Sequence, residues 1–235
     1  MITGYLALDP MALLRALPGN VAQGLIWGIM ALGVYITFRI LDFADLTVDG
    51  SLATGGAVAV MLIQSGMHPA VSLVFAFLAG MAAGFVTGFL HTALGIPGIL
   101  ASILTQISLY SVNLGIMGKA NQSIGLTQRN LVASSRYVTA DDSVFFFVKL
   151  VAGCLILVAV VYWLFGTELG SSIRATGCNP QMARAQGINT NFTKVIALMI
   201  SNGLVGLCGG IYAQYQGSAD VNAGRGAIVI GLAAV

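Results

Sequence analysis

Seven apolar segments recur along the chain, near 20–41, 51–65, 69–94, 97–117, 144–166, 194–216 and 226–235. Runs near 20 residues match the length a helix needs to cross the hydrocarbon core of a bilayer. Val144–Phe165 would form a helix about 33 Å long. Compact turns join neighbouring segments, Gly66-Met-His-Pro69 after the second and Gly95-Ile-Pro-Gly98 after the third. Long polar connections occur at 119–142 and 167–193. The pattern predicts an all-α integral membrane protein of six to seven transmembrane helices, folded as one domain over 1–235. Residues 1–19, with Arg15 and two prolines ahead of the first long apolar run, read as a short uncleaved leader.

Composition reinforces this. Of 235 residues, 57% are hydrophobic and 8% are Asp, Glu, Lys or Arg. Soluble domains carry about 25% charged residues, so this chain cannot clothe itself for water. A net charge of +2 is too small to suggest a nucleic-acid partner. Cys154 and Cys208 fall within apolar segments and Cys178 in the second polar connection, which argues against a disulfide framework. Neither the cysteines nor the isolated His68 and His91 have metal-ligand spacing, and no phosphate-cradling glycine loop is present. No cofactor, metal or enzyme activity is expected.

The chain echoes itself. FADLTVDGSLATGGAVAV (43–60) aligns with SADVNAGRGAIVIGLAAV (218–235) at a constant offset of 175 residues. Ala44 matches Ala219, Asp45 matches Asp220 and Gly56 matches Gly231. The copies lie five crossings apart and would run in opposite directions, which predicts an inverted-topology repeat. On that reading the second repeat is incomplete at Val235.

Three groups of polar residues stand out. Asp42, Asp45 and Asp49 would share one face of a continuous helix. A carboxylate at the bilayer centre costs roughly 2.5–3.5 kcal/mol on insertion scales, so three together need water or partners. Either a broken helix end lines a translocation path, or a solvated turn joins two spans with Asp49 capping the second. Gln106, Tyr110 and Asn113 share a face of the fourth segment, and Asn202 lies in the sixth. These serve helix packing or an aqueous path. Asp45, Thr47, Asp49, Gln106, Asn113 and Asn202 are the candidate path residues. Gly80, Gly84 and Gly88 form a small-residue ridge suited to close helix packing, and Gly24 and Gly28 a shorter one.

The second polar connection, GSSIRATGCNPQMARAQGIN (170–189), is expected to hold one short helix. Asn179 suits its cap, Pro180 its first position and Gly187 the left-handed residue beyond its end. A helix of about two turns is marginal alone and needs a surface to pack on.

That loop, with KVIALMISNGLVGLCGGIYAQYQG after it, resembles the permease subunits of ABC importers of the branched-chain amino acid and simple-sugar type. ITFRILDFADLTVDGSLATGGA (36–57) resembles the family's acidic turn before its second core helix. The likeness is greatest to an amino-acid-type branch served by extracytoplasmic binding proteins. The resemblance implies that 167–193 is a cytoplasmic coupling loop, and its matching positions are Arg174, Ala175, Gly177, Asn179, Ala183, Gly187, Ile188 and Asn189. Helix 180–186 would then seat in a groove of a cytoplasmic ATPase, with Pro180 at its start, Met182 and Ala185 as apolar contacts and Arg184 as a polar one. The implied partners are two ATPase subunits, a second permease subunit (a homodimer), an extracytoplasmic solute-binding protein and the lipid bilayer. The implied location is the bacterial cell (inner) membrane, and the implied cargo a small polar solute, an amino acid first. The family normally continues for further helices, so the chain reads as C-terminally truncated. An ion- or proton-coupled secondary transporter using Asp45 and Asp49 is the rival reading.

Overall fold

The computed structural model describes residues 10–125, 131–134 and 143–235, the side chains of 10–16 and 143–145 excepted. Residues 1–9 of the expected leader, and most of the first long polar connection, lie outside that range. Helix α1 (Pro10–Tyr35) passes directly into a π-helical turn, Ile36–Ile40. Then come α2 (Thr47–Gln64), α3 (Pro69–Thr92), α4 (Gly98–Met117) and α5 (Ser143–Gly166). Two short helices, α6 (Glu168–Cys178) and α7 (Pro180–Ala185), lead to the long α8 (Thr190–Gln216) and to α9 (Ala227–Ala234). Six described helices are long and apolar enough to cross a membrane: Leu17–Ile40, α2, α3, α4, Phe146–Gly166 and α8.

The structure refines three expectations. The first helix begins at Pro10, so part of the expected leader is already helical. The second polar connection holds two helices rather than one. Helix α6 was hidden because Gly170, Ser171, Ser172 and Gly177 are weak helix formers; tertiary packing of Gly170, Ile173 and Thr176, all buried, holds it in place. Asp42, Asp45 and Asp49 do not share a continuous helix. The chain leaves the helix at Asp42, whose φ of +53° is left-handed, and re-enters it at Thr47. A small antiparallel pairing of Asn121–Ser123 (β1) with Ser218–Asp220 (β2) joins the ends of α4 and α8.

The core forms where helices approach closely. Along α3, the Gly80 and Gly84 backbones lie against the Asn202 and Leu198 carbonyls of α8, and Gly88 lies against Val195. A methyl group at the first two would overlap main chain, so the glycine ridge is a packing surface. Gly24 and Gly28 have open space beside them and make no such approach. Ile26, Ile29, Met30 and Val34 of α1 bury against Val48 and Leu52 of α2 and Val205 and Cys208 of α8. By contrast α5 is largely uncovered, with Tyr162 83% and Trp163 70% exposed near its end. Such rings favour the membrane–water interface, which places α6 and α7, immediately following, at that level.

The internal echo is structural. At the same offset of 175 residues, Asp42 (φ +53°) corresponds to Gly217 (φ +75°), each ending a helix in the left-handed region. Three residues on, Asp45 Oδ1 accepts from the Thr47 backbone N–H at 2.9 Å, and Asp220 Oδ1 from the Asn222 N–H at 2.7 Å. Contacts between the copies are reciprocal. Ser201 Oγ donates to the Gly33 carbonyl (2.8 Å), and Cys208 Sγ to the Ile26 carbonyl (3.2 Å), two pairs that exchange under the offset. Gly231 against Val34 and Gly56 against Gly209 exchange in the same way. Asp49 and Gly224, which correspond to each other, touch directly. These are the marks of an approximate two-fold axis. Because α1 and α8 cross antiparallel along it, the axis lies across the helices, and the repeat is inverted.

Candidate translocation and coupling sites

The expected path residues separate into two groups. Asp45, Thr47 and Asn202 lie in a closed hydrogen-bond cluster with no exposed surface. Asn202 Nδ2 donates to Asp45 Oδ2 (2.6 Å) and to the Leu198 carbonyl (3.1 Å), while its Oδ1 accepts from Ser51 Oγ (2.6 Å). Thr47 Oγ1 pairs with Thr87 Oγ1 at 2.8 Å. The Thr87 hydroxyl also lies within hydrogen-bonding distance of the Ala83 carbonyl (3.3 Å). Burial pushes the Asp45 carboxyl above its usual range, while the hydrogen bonds from Thr47 and Asn202 pull it back down. Both oxygens accept, so the geometry is built for the carboxylate. This cluster ties α2, α3 and α8 together and leaves no room for a solute.

Asp49, Gln106 and Asn113 line a cavity of about 270 Å³, with Tyr110, Val221 and Arg225. Gln106 and Asn113 lie about 12 and 22 Å along α4, which is about 30 Å long, so the cavity sits at mid-depth. Its walls come from the first turns of α2, the middle of α4 and the turn ahead of α9. Asp49 does not cap its own helix. Its carboxylate accepts from the Gly226 (3.1 Å) and Ile228 (2.9 Å) N–H groups and so caps α9, which belongs to the other repeat. The Arg225 guanidinium stands over the Tyr110 ring, 6.0 Å from its centroid. The Asn113 side chain is fully buried, and neither its Nδ2 nor its Oδ1 meets a partner among the described residues. An unpaired buried donor or acceptor costs about 1–3 kcal/mol.

In the expected coupling loop, Asn179 Oδ1 accepts from the Gln181 (3.0 Å) and Met182 (3.1 Å) N–H groups, with Pro180 at the first helical position. Gly187 has φ +84°, and the Ile188 N–H returns to the Ala183 carbonyl at 3.0 Å, closing the far end. Ala183 is buried, whereas Met182 is 58% exposed. Arg184 turns back on its own chain: Nε donates to Thr190 Oγ1 (2.7 Å) and a terminal nitrogen to Asn191 Oδ1 (3.4 Å). Arg174 donates to the Phe165 carbonyl (3.0 Å), finishing the end of α5.

Gly177 is placed by a signal the sequence did not carry. Its α-carbon faces the Ile40 carbonyl and the Leu41 backbone so closely that a side chain would overlap them. Helix α6 therefore bears on the π turn of the first span, whose last residue lies five positions before Asp45. The π turn could not be anticipated either, since ITFRI carries no motif for it. Such turns often mark functional sites.

Six spans among the described residues, an inverted repeat broken near its axis and a pair of short helices, the second of them capped, define a membrane-embedded transport permease. Residues 19–235 match the family of permease components of branched-chain amino acid transport systems, and the chain belongs to it. It is 40% identical over 213 residues to a tyrosine transport system permease protein of Clostridioides difficile (strain R20291), spanning 91% of this chain and 69% of that one. An uncharacterized protein of Rickettsia prowazekii (strain Madrid E) is 35% identical over 213 residues, 91% of this chain and 73% of its own. The autoinducer 2 import system permease protein LsrC of Yersinia pseudotuberculosis serotype O:1b (strain IP 31758) is 31% identical over 185 residues, 75% of this chain and 49% of its own. No solved structure matches. The protein is thus the permease component of an ABC-type system for amino acid or sugar-like solutes, a multi-pass protein of the bacterial cell (inner) membrane.

Proposed function

We propose that this permease imports an amino acid, received from an extracytoplasmic binding protein and driven by ATP hydrolysis on separate cytoplasmic subunits. A second copy of the chain would complete the pathway. The observation that carries the reading is α7, rigid at both ends and presenting Met182 outward, on a pair of helices that bears on the first span through Gly177. A capped helix transmits displacement instead of fraying. An ATPase closing on α7 would move α6, shift the π turn, and so reach the Asp45 cluster that ties α2, α3 and α8. In this arrangement Arg174, Gly177, Asn179, Pro180, Ala183, Arg184 and Gly187 shape and seat the lever, and Met182 is its contact. The tyrosine transport permease, as a relative, supports an amino acid cargo.

The rival, an ion-coupled transporter using Asp45 and Asp49, fits the structure less well. Asp45 is locked among donors, and Asp49 is engaged as a helix cap. Uptake of radiolabelled tyrosine into cells separates the two. The importer reading expects loss on ATP depletion and persistence with an uncoupler when ATP is maintained. The reverse result would overturn it in favour of the rival.

A further inference from the structure

We propose that the mid-depth cavity is a solute subsite within the permease itself, selective for a small zwitterion. The inference rests on the importer reading above and assigns that importer's cargo a place to pause. Four observations carry it. First, the cavity lies where the inverted repeats meet, beside the Asp49–Gly224 contact on the axis, the position at which alternating access exposes a site to either side in turn. Second, it holds one charge of each sign, and neither is satisfied by the other. Asp49 accepts two backbone N–H groups and keeps further lone pairs for an ammonium. Arg225 lies over the Tyr110 ring, exposed and available to a carboxylate. Third, the fully buried Asn113 amide lines the same cavity with its donor and its acceptor unused. Buried amides are normally paired, so a ligand group or water belongs against it. Fourth, about 270 Å³ lies just below the usual range of ligand pockets, roughly 300 to 1,000 Å³, which suits a small solute.

A solute bound there sets its ammonium toward Asp49, its carboxylate toward Arg225 and a polar group on Asn113. Asp49 belongs to the first repeat, while Arg225 precedes the helix that Asp49 caps in the second. The solute therefore bridges the two repeats at their axis, and drawing Arg225 off Tyr110 would signal occupancy to α4.

The test is saturation-transfer NMR on the full chain in lipid nanodiscs. The probes are tyrosine, tyramine (no carboxylate), N-acetyltyrosine (no free ammonium) and ribose (uncharged). Tyrosine should bind, and the other three at least about ten-fold more weakly, the scale of one lost charge-assisted contact. Arg225→Gln should bring tyrosine and tyramine to equal affinity. Asn113→Ala should weaken tyrosine about ten-fold. Arg225 is exposed, so its substitution stays informative even where Asn113→Ala fails to fold. Equal binding of all four probes, or unchanged discrimination in Arg225→Gln, would overturn the subsite. Tyrosine binding unaffected by a folded Asn113→Ala would do the same and leave the amide holding water only. ATPase capture through α7 is scored on the same preparation. Capture without tyrosine binding overturns the subsite and spares the importer reading. Tyrosine binding without capture supports the subsite and counts against the importer reading.

Discussion

Replacing Asn202 by alanine should reveal what holds the two halves of the bundle together. The substitution removes the donor to Asp45 Oδ2, at 2.6 Å, and the acceptor of Ser51 Oγ, at 2.6 Å. A hydrogen bond to a charged group is worth about 1.5–3 kcal/mol and a neutral one about 0.5–1.5. Little water can reach the cluster to compensate, since Asp45 and Ser51 have no exposed surface. The expected loss is about 2–4 kcal/mol. For a chain of this size each kcal/mol moves the melting temperature by about 2–4 °C, so the apparent shift should be about 4–16 °C. The loss should also depend on pH. Burial already raises the folded-state pKa of Asp45 above its unfolded value, so this group costs nothing below the unfolded pKa and costs most above the folded one. Removing the Asn202 donor raises the folded pKa further. Asn202→Ala should therefore be more destabilising at pH 8 than at pH 4, close to the unfolded value. The assay is thermal unfolding of detergent-solubilised wild type and variant across that range. A loss below about 0.5 kcal/mol, or one that stays flat or grows toward low pH, would refute the reasoning.

Three further outcomes follow from the same contacts. Gly177→Ala forces α6 away from the Ile40 carbonyl at a cost of about 1–3 kcal/mol, and should lower uptake per ATP hydrolysed in reconstituted vesicles while ATPase binding persists. Asp49→Ala removes the cap of α9 and should lower stability by about 0.5–2 kcal/mol, measured by thermal unfolding; Asp49→Asn, which keeps one acceptor, should lose less. Met182→Glu, at an exposed position, should leave the melting temperature unchanged yet abolish co-purification of the ATPase from detergent extracts.

Much of this architecture was legible in advance because it depends on local chemistry. The spans follow from apolar length, and the ends of α7 from Asn179, Pro180 and Gly187, each of which acts on its own neighbours. The inverted repeat was legible because Asp45 and Asp220 make the same short turn in both copies. What escaped the sequence depends on distant partners. A break or turn around Asp45 and Asp49 was legible, but not that a left-handed residue at Asp42 sends one into the Asn202 cluster and the other to the N-terminus of α9. Gly177 read as part of a coupling motif, but its value lies in the backbone it touches 137 positions earlier, at Ile40. Helix α6 was missed for a related reason: its residues are poor helix formers until Ile173 finds Leu41, Phe43 and Leu198.

The central claim is that α7 meets an ATPase, and cross-linking in native membranes tests it most directly. Cys178 is exposed and free, so the background chain should carry Cys178→Ser. Met182→Cys in that background, treated with a short thiol-to-amine cross-linker, should yield an adduct with an ATP-hydrolysing subunit, and its yield should change when ATP is added. Tyr162→Cys, 83% exposed near the end of α5, should yield none. An adduct at Met182→Cys that lacks any ATPase, or equal ATPase adducts at both positions, would contradict the account.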